Sequence, residues 1–487
     1  MQKKCDIIVI GGGMAGLSAA SCLVHAGKKV LVLEQNYLPG GCTSSYWRKG
    51  FVFESGATTI VGFDEGMPLA YLFHKIGVSI QVVELSIPMR VKLADGSLIT
   101  RYSDLNQWIQ ECEYHFGTKN QKRFWHFCKT ISDFVWKTSL QQQYFPPSHW
   151  RDVVKCLGNL NFEQLYYAPL AFESMQHLLE RFELSQNERF VQFVNEQLII
   201  TAQNYASQVN VLFGATALCY TLYGNYYING GLFNLVNPLC EYIRSRGSSV
   251  ELRKKVTKVV DEGSHYRIEI EKHSSLIAKK VVFAIPLNNA LEIFQGNVRS
   301  SLNKGLMNAT QLNSAFQMGI AFRTQKHWDC LHYQLHLSSK LSALIGSKSL
   351  FVSLSHPQDR TRSDVSGVTV ASVSTHIHQL PNYALEKQTV AESVLEFLEE
   401  QGFFCRKEVI YYHVALPDTW EKWTLRKWGF VGGYPQFFHI KPWQMNEHRL
   451  DNRGAYICGD STYPGQGIPG VTLSGIIAAN KLLQDSQ

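Results

Sequence analysis

The sequence lacks the cysteine pairs, charged runs and long apolar segments that mark several classes of protein. Its 11 cysteines are scattered singly, with no Cys-x-x-Cys, so we expect free thiols in a reducing compartment rather than a disulfide framework. No apolar run approaches the roughly 18 to 20 residues that a membrane-spanning helix needs. No basic run is interleaved with aromatic residues, which argues against nucleic acid as a partner. The chain is therefore predicted to be cytoplasmic, at most peripheral to a membrane.

Two features of the sequence resemble a signal peptide and a metal site, but each is incomplete. Lys3 and Lys4 resemble the start of a signal peptide, but the apolar run that follows soon breaks into a glycine-rich turn, so no signal peptide is expected. His376 and His378 alternate as on a strand and could bind a metal ion. No third ligand is spaced to complete such a site, so no metal is expected. No Ser-His-Asp, Cys-His or paired-carboxylate arrangement is recognisable in the sequence.

The composition is that of a large globular protein. Its 487 residues exceed what a single hydrophobic core usually serves, so two or more lobes are expected. Aromatic residues make up 12% of the chain, which suits a well-filled core, a large apolar ligand cavity or a face that rests on lipid. The formal charge of +7 fits either ordinary solubility or attraction to an anionic membrane surface.

Residues 5–45 join two short apolar runs through a glycine turn and a helix-like segment. The parts, in order, are the run 7–10, the glycines Gly11, Gly13 and Gly16, the run 30–33 and the acid Glu34. Glu34 ends the second run, where a carboxylate can accept hydrogen bonds from ribose hydroxyls. This order predicts a dinucleotide-binding βαβ unit. A purely structural βαβ unit with a glycine turn is the alternative.

Steric requirements explain why glycine occupies each of these three positions. Gly11 allows the tight turn after the strand, and Gly16 lets the helix lie close to that strand. Gly13 has no Cβ, so the backbone can approach a pyrophosphate. The N–H groups of Met14 and Ala15 stand at the N-terminus of the helix, which attracts phosphate.

The residues after Glu34 are more specific. Pro39 precedes the pair Gly40 and Gly41, and an aromatic-rich hairpin over residues 46–53 follows. This segment resembles the carotenoid desaturase, carotenoid isomerase and retinol saturase family of FAD-dependent oxidoreductases, which includes phytoene desaturases. Two departures stand out: Cys42 occupies a position where many relatives have an arginine that meets the pyrophosphate, and Glu54 replaces the usual aspartate. The first departure predicts phosphate contacts that depend more on backbone N–H groups.

Two later segments extend the resemblance. Residues 226–231 end in a second glycine pair, and the resemblance implies that the chain then returns to the cofactor and that the backbone of Val256 contacts adenine. Near the C-terminus, a short strand ends at Gly459 and Asp460, which the resemblance places at the ribityl-phosphate part of FAD. A predicted helix over 471–483 follows. The resemblance directs its N-terminus, with Gly467, Gly470 and Val471, at the flavin's pyrimidine edge, where reduction adds negative charge.

The predicted fold is α/β, with a discontinuous, Rossmann-type, glutathione-reductase-like FAD-binding lobe and an α+β substrate or cap lobe. The predicted segments are 1–75, 226–290 and 441–487 for FAD binding, 76–225 for a helical cap, and 291–440 for a cap sheet. Alternation predicts strands over 89–93 and 97–100. Further strands are predicted over 250–260, 265–270 and 280–285, and near 315–323, 350–354 and 367–374. A helix is expected over 384–400. The aromatic and basic residues 122–137 fit either an interfacial membrane anchor or a buried core with solvated lysines.

The family resemblance implies an FAD-dependent enzyme acting on a long apolar polyene bound in a tunnel. It allows carotenoid-type desaturation, in which flavin N5 accepts a hydride, cis–trans isomerisation or saturation. Peripheral contact with a membrane surface would suit such a substrate. The sequence assigns no catalytic residue and no electron acceptor. A flavin amine oxidase and a non-catalytic lipid-binding escort protein on the same fold are the alternatives.

Overall fold

The computed structural model describes residues 4–56, 59–378 and 386–487. Within these residues the strands form an eight-stranded sheet, a seven-stranded sheet and two two-stranded pairs. In chain order the strands are β1 (Lys4–Ile10), β2 (Val30–Leu33), β3 (Ser45–Arg48), β4 (Phe51–Glu54), β5 (Val83–Glu84), β6 (Met89–Lys92), β7 (Leu98–Arg101), β8 (Tyr226–Tyr227), β9 (Ser249–Glu251), β10 (Val256–Asp261), β11 (Tyr266–Ile270), β12 (Leu276–Phe283), β13 (Phe294–Gln295), β14 (Asn313–Arg323), β15 (His332–His336), β16 (Ser349–Leu354), β17 (Val368–His378), β18 (Val409–Ala415) and β19 (Ala455–Ile457).

Some of the helices pack against these sheets. Those that lie between β7 and β8 in the chain form a separate group with its own hydrophobic core. In chain order the helices are α1 (Met14–His25), α2 (Pro68–Ile76), α3 (Leu105–Phe116), α4 (Gln121–Gln141), α5 (Trp150–Gly158), α6 (Phe162–Tyr167), α7 (Met175–Arg181), α8 (Glu188–Ala202), α9 (Val211–Leu218), α10 (Phe233–Ser245), α11 (Leu287–Ile293), α12 (Ser300–Lys304), α13 (Ser339–Ile345), α14 (Lys387–Glu400), α15 (Pro417–Thr424) and α16 (Ile468–Gln484). None of the described helices is both long and apolar enough to cross a lipid bilayer.

The eight-stranded sheet has a parallel centre. β1 lies between β2 and β12, and both pairings are parallel, as is that of β19 with β12. α1 and α10 pack on one side with α16, so the first and last segments of the chain share a hydrophobic core. The strands come from residues 4–33, 249–295 and 455–457. The α/β fold predicted from the sequence is therefore present, while the predicted domain boundaries stay a prediction.

The prediction of one strand over 250–260 is wrong. β9 pairs with β2, whereas β10 pairs with β11 and β13 at the far side of the sheet. Between them Arg253 takes a left-handed conformation with φ of 57°, and its N–H donates to the carbonyl of Asn36. The chain therefore leaves the sheet edge and crosses the end of β2, which local alternation cannot reveal.

The seven-stranded sheet has the order β18-β14-β17-β16-β15-β6-β7 and is antiparallel apart from the β15–β6 pair. It contains the predicted strands near 89–93, 97–100, 315–323, 350–354 and 367–374. α14 covers one face through the core that it shares with β14 and β17. The predicted start of that helix at Ala384 lies outside the described residues, and the observed helix begins at Lys387.

Two aromatic residues of the stretch 122–137, for which a membrane anchor was one interpretation, are buried among helices. Phe124 and Trp125 of α4 are fully buried, and the ring of Trp125 lies 5.0 Å from that of Trp108 on α3. The membrane-anchor reading of this stretch is therefore wrong for these two rings, because helices α3 and α8 cover the face that carries them.

An exposed apolar patch lies instead on α5, α6 and the 3₁₀ turn Ala168–Phe172. The apolar surface patch consists of the exposed side chains Trp150, Val153, Val154, Leu157, Leu160, Phe162, Leu165, Tyr166 and Phe172. The polar side of α5 is the buried one, because Asp152 accepts hydrogen bonds from Arg449 and lies 3.6 Å from the Lys481 ammonium of α16. This ionic network directs the apolar face of α5 toward solvent.

Candidate active site

The first glycine turn forms one wall of the candidate site. Gly11 has φ of 104°, and its N–H donates to the Leu33 carbonyl at 2.8 Å. A Cβ at Gly16 would collide with the Gly11 carbonyl, so the close approach of α1 to the turn requires glycine there. A Cβ at Gly13 would meet only the Gly40 carbonyl, at 3.9 Å. Gly13 thus faces open space at the N-terminus of α1, beside Met14.

Glu34 closes the same turn from β2. Its carboxylate accepts hydrogen bonds from the N–H of Gly12 at 2.6 Å and from that of Asn36 at 2.8 Å. Burial raises the pKa of Glu34, although these backbone donors act in the opposite direction. The acid lies against the glycine turn, as the βαβ pattern predicts, and its role toward a ribose stays a prediction.

The pair Gly40 and Gly41 lies on the first glycine turn. The Gly40 N–H donates to the Gly12 carbonyl at 2.7 Å, and Gly40 forms a β-bridge with Gly13. A Cβ at Gly41 would lie 3.6 Å from the Gly13 Cα. Val236 of α10 packs against Gly40, so the segment after residues 226–231 does return to this region.

Val256 stands at the start of β10, beside the acid end of β2. The N–H of Lys254 donates to the Glu34 carbonyl at 2.8 Å, which holds this segment against the turn. The Val256 side chain is half-buried. The structure therefore brings together the residues predicted for the adenosine end of a dinucleotide, and their contact with adenine stays a prediction.

The C-terminal segment completes the site. β19 leads into Gly459, where an added Cβ would meet nothing within 4 Å. α16 begins after Gly467, three residues earlier than predicted, because Pro469 fits the first turn of a helix. A Cβ at Gly475 would collide with the Ala15 carbonyl, so α16 and α1 lie in direct contact. The two ends of the chain therefore meet at one site.

A cavity of about 400 Å³ opens beside this C-terminal loop. Cys42, Asp460, Gly467, Gly470 and Val471 line one end of it. Helices supply an apolar wall, which consists of Val135, Trp136, Ile199, Ile200, Phe213 and Ala217. The seven-stranded sheet supplies further lining residues, which include Ala315, Gln317, Gln334, Ser349, Phe351 and Ser374. Helices, the sheet and the C-terminal loop thus all contribute to the cavity.

Arg426 is a site residue that the sequence did not reveal. Its guanidinium donates to the Asp460 carboxylate at 2.7 Å, and its NH1 nitrogen has no hydrogen-bond partner among the described residues. Burial opposes its charge, but nearby Asp460 and Cys42 raise the pKa of Arg426 overall. Arg426 follows α15, and Gly429, three residues later, packs so tightly on the start of that helix that a Cβ would collide with the Pro417 carbonyl. This close packing holds the turn that carries Arg426 against α15. A cation therefore lies beside Cys42 after all, supplied from a distant segment.

Glu54, the other departure from the family pattern, has a structural contact. It forms a buried ion pair with Arg362 at 2.5 Å and accepts a hydrogen bond from Ser45 at 2.7 Å. Its carboxylate also accepts from the Leu232 N–H, next to the second glycine pair. Glu54 thus joins the hairpin of β3 and β4 to α10 and to the chain around Arg362.

These residues fit a flavin nucleotide. The open space in front of Gly13 and Gly459, the helix N-termini of α1 and α16, and the Arg426 nitrogen that lacks a partner among the described residues form a cradle suited to an anionic, extended ligand. The cavity beside the C-terminal loop is lined largely by apolar side chains, as expected for a planar ring system and an apolar substrate.

Comparison with known proteins agrees with this geometry. The family model described as "Flavin containing amine oxidoreductase" matches residues 14–483. The chain is 23% identical over 509 residues to prolycopene isomerase 1, chloroplastic, of an Oncidium hybrid cultivar, covering 99% of this chain and 84% of the relative. It is also 23% identical to the 4,4'-diapolycopene oxygenase of Methylomonas sp, covering 99% and 98%. The structure of putrescine oxidase bound to putrescine superimposes with a TM-score of 0.65 at 13% identity, covering 99% of both chains.

Proposed function

The chain belongs to the family of flavin-containing amine oxidoreductases and is an FAD-dependent oxidoreductase, and from this premise we propose that it acts on a long apolar polyene. Desaturation and cis–trans isomerisation are the two reactions proposed. The prolycopene isomerase and the diapolycopene oxygenase, whose names refer to polyenes, support this substrate class. The observation that carries the proposal is the largely apolar cavity beside the C-terminal loop, with the apolar side chains that helices supply to it.

The same cavity offers an amine substrate no unpaired carboxylate. A cationic amine needs a carboxylate or a cage of aromatic rings to replace its hydration, and of these two the cavity contains aromatic rings such as Trp136, Tyr220 and Trp420. Among the described residues that line the cavity, Asp460 is the one carboxylate, and it is already paired with Arg426 at 2.7 Å. The putrescine oxidase likeness, at 13% identity, supports the fold and not an amine as the substrate.

We propose that FAD is held by the residues predicted from the sequence together with Arg426. Gly11, Gly13 and Gly16 with the N–H groups of Met14 and Ala15 would meet the diphosphate, Glu34 the ribose, and Val256 the adenine. Gly40, Gly41 and Gly459 would leave room for the ligand, and Asp460, Gly467, Gly470 and Val471 would meet the ribityl chain and ring. The bound flavin would supply two-electron redox chemistry next to the cavity. The chain's own tasks are to orient the polyene, exclude water and stabilise negative charge at the α16 N-terminus.

The reaction can be tested by expressing the protein in a host that makes carotenoids. Desaturation would lower the mass of a pigment by two hydrogens and red-shift its absorption, whereas isomerisation would leave the mass unchanged and alter the retention time. The Gly13→Val variant in the same host is the control for a flavin-dependent change. Unchanged pigments, together with peroxide release from amines by the purified protein, would favour an amine oxidase. A purified protein without flavin would favour an escort protein.

We further propose that the apolar surface patch rests on the surface of a membrane. α5 places Trp150, Val153, Val154 and Leu157 on one exposed face, at the spacing of a helical stripe. Arg151 and Lys155 flank that face and would meet anionic headgroups. α6, which carries part of the patch, packs on a helix that reaches the cavity, because its Tyr167 contacts Phe134 of α4 and Val135 of α4 lines the cavity.

Vesicle sedimentation tests this surface. The wild-type protein should sediment with vesicles that contain anionic lipid, more weakly as salt rises. The double variant Leu157→Asp and Phe162→Asp should stay in the supernatant. Tyr114→Asp removes an exposed aromatic ring outside the patch and is the matched control. Sedimentation of the double variant at the wild-type level would refute the proposed surface.

A further inference from the structure

We propose that the polyene carries a neutral oxygen function, a hydroxyl or a carbonyl, which hydrogen-bonds to Gln317 and Ser374 in the cavity. This inference rests on the proposed polyene function and specifies the substrate class of the same site. It derives from the register of the seven-stranded sheet and from the hydrogen-bonding groups that this sheet presents to the cavity.

Four side chains form one row across the cavity wall. Gln317 of β14 lies opposite Ser374 of β17, which lies opposite Phe351 of β16, and Phe351 lies opposite Gln334 of β15. Residues directly opposite each other on antiparallel strands point to the same face of a sheet. All four line the cavity, so three of the four positions in the row are polar.

The two ends of the row differ in their hydrogen bonds. Gln334 is saturated, since its amide donates to the Glu196 carbonyl at 2.9 Å and to Ser349 at 3.1 Å, and its oxygen accepts from Gln197. Gln317 donates to the Glu54 carbonyl at 2.7 Å, which leaves one N–H and its carbonyl oxygen. The Ser374 hydroxyl has no hydrogen-bond partner among the described residues. Unused donors and an acceptor therefore lie side by side at Gln317 and Ser374.

A pure hydrocarbon would leave these groups unpaired. When it filled the cavity it would displace the water that can satisfy Gln317 and Ser374 and would offer no hydrogen bond in return. A hydroxyl or carbonyl oxygen would pair with them, while the rest of the polyene lay along apolar side chains such as Val135, Trp136 and Phe213. The cavity thus combines unused polar groups at Gln317 and Ser374 with a largely apolar lining, which suits an amphiphilic ligand.

The charge of the cavity distinguishes between oxygen functions. No lysine or arginine is among the described residues that line it. A carboxylate would therefore meet no cation in the cavity lining, and the nearby Arg426 is already paired with Asp460 at 2.7 Å, so burying a second carboxylate there is unfavourable. An alcohol, aldehyde or ketone carries no such cost. Ala315, two residues before Gln317 on the same face of β14, packs with Cys42, so the oxygen would lie near the cofactor end of the cavity.

The test compares polyenes that differ only in the oxygen. Binding of all-trans-retinol and of its terminal-methyl hydrocarbon analogue to the purified holoprotein is measured by fluorescence quenching, with zeaxanthin and β-carotene as a longer pair. The alcohols should bind at least about tenfold more tightly than the hydrocarbons. Retinoic acid, ionised at neutral pH, should bind more weakly than retinol.

Variants of Gln317 and Ser374 test whether these two side chains cause the preference for alcohols over hydrocarbons. Ser374→Ala and Gln317→Leu should each reduce the discrimination between alcohol and hydrocarbon, and the double variant should abolish it. Thr216→Val is the matched control, because Thr216 lines the cavity but its hydroxyl already donates to the Leu212 carbonyl at 2.9 Å. Discrimination should survive in this control. Ser374→Ala removes a single oxygen and provides the decisive comparison if Gln317→Leu does not fold.

Equal binding of alcohol and hydrocarbon by the wild-type protein would overturn the inference. If the hydrocarbons were also converted in the carotenoid-producing host, the proposed function would stand while the oxygen preference would fall. If no polyene of either kind were bound or converted, the proposed function itself would fail.

Discussion

At the scale of single residues, glycine positions gave the most reliable information in the sequence. Gly11, Gly13 and Gly16 were assigned three different roles, and the structure shows a left-handed turn at Gly11, open space at Gly13 and a tight contact at Gly16. A glycine motif can be interpreted this way because its reasons are steric and local. Arg426 could not be found, since the turn that carries it lies far along the chain from Cys42 and no local pattern marks it.

Buried charges were likewise invisible to sequence reasoning. Arg101 is fully buried, and its guanidinium donates to Gln197 and to the Leu218 carbonyl while lying 4.4 Å from the ring of Trp108. Nothing near Arg101 in the sequence predicts that it leaves the surface. Such residues become buried only when several helices assemble around them, which is a property of the tertiary structure.

The first residue-scale prediction concerns Gly13. Gly13→Val should give a folded protein without bound flavin, because the added side chain points into the open cradle, where the protein itself offers no collision. Absorption of the purified protein near 450 nm, a typical flavin wavelength, and its circular dichroism measure the two effects. Gly158→Val adds the same side chain at a position with equally open surroundings and should keep its flavin. A yellow Gly13→Val protein would show that the cradle is misplaced.

The second residue-scale prediction concerns Arg426. Arg426→Gln should raise the Kd of the apoprotein for FAD by about ten- to a hundredfold, since a charge-assisted hydrogen bond to phosphate is lost. Lys427→Gln removes the same charge from the neighbouring residue, which pairs with Glu292 at the surface, and should leave the Kd unchanged.

Asp460→Asn separates two explanations of an Arg426 effect. If Arg426 only orients Asp460, the double variant Arg426→Gln with Asp460→Asn should bind FAD no more weakly than Asp460→Asn alone. If Arg426 meets the phosphates itself, the double variant should lose further affinity, and the affinity of the wild-type protein should fall with salt. Titration of each apoprotein with FAD measures the four constants.

At the scale of elements, the residue pattern located several strands correctly. β6 and β7 agree with their predicted ranges within a residue or two, and so do β14 and β16. The prediction failed at β9 and β10, where hydrogen bonds to Asn36 and Glu34 break an otherwise continuous run. For α4 and α5 the aromatic and basic composition was similar, but α4 is covered by other helices and α5 is not. Composition alone cannot tell which of two amphipathic helices is covered.

The element-scale prediction is a loss of stability in mild acid that arises in β15. Burial lowers the pKa of both His332 and His336 to about 4. The unfolded chain, with histidine pKa values near 6.5, then binds protons that the folded chain does not, so the free energy of unfolding should fall as the pH drops from about 6.5 to 4.

Denaturant unfolding at several pH values measures this effect. His336→Gln should reduce the slope of the free energy of unfolding against pH by nearly one bound proton over that range. His177→Gln, which changes a largely exposed side chain on α7, is the control and should leave the slope unchanged. An unchanged slope for His336→Gln would show that this histidine is accessible to protons in the folded state.

At the scale of the whole molecule, the site depends on chain segments that have no contact until the fold is complete. The glycine turn after β1, the segment before β10 and the loop before α16 meet because β1 pairs with both β2 and β12, and β12 pairs with β19. The family resemblance predicted that three separate segments bind one cofactor. The cavity walls could not be predicted, because they come from helices and strands whose relative placement no local pattern encodes.

This arrangement predicts how cofactor binding acts on the molecule. A ligand that contacts all three segments stabilises each of them together, because binding energy lowers the population of every state in which any one segment has opened. Hydrogen exchange of apoprotein and holoprotein should therefore show FAD-dependent protection over residues 11–16, 34–41, 253–256 and 459–471. α14, which packs on the far sheet, should exchange at the same rate in both forms. Protection limited to residues 11–41 would mean that the ligand spans only the first βαβ unit, and the C-terminal loop would then have no part in holding it.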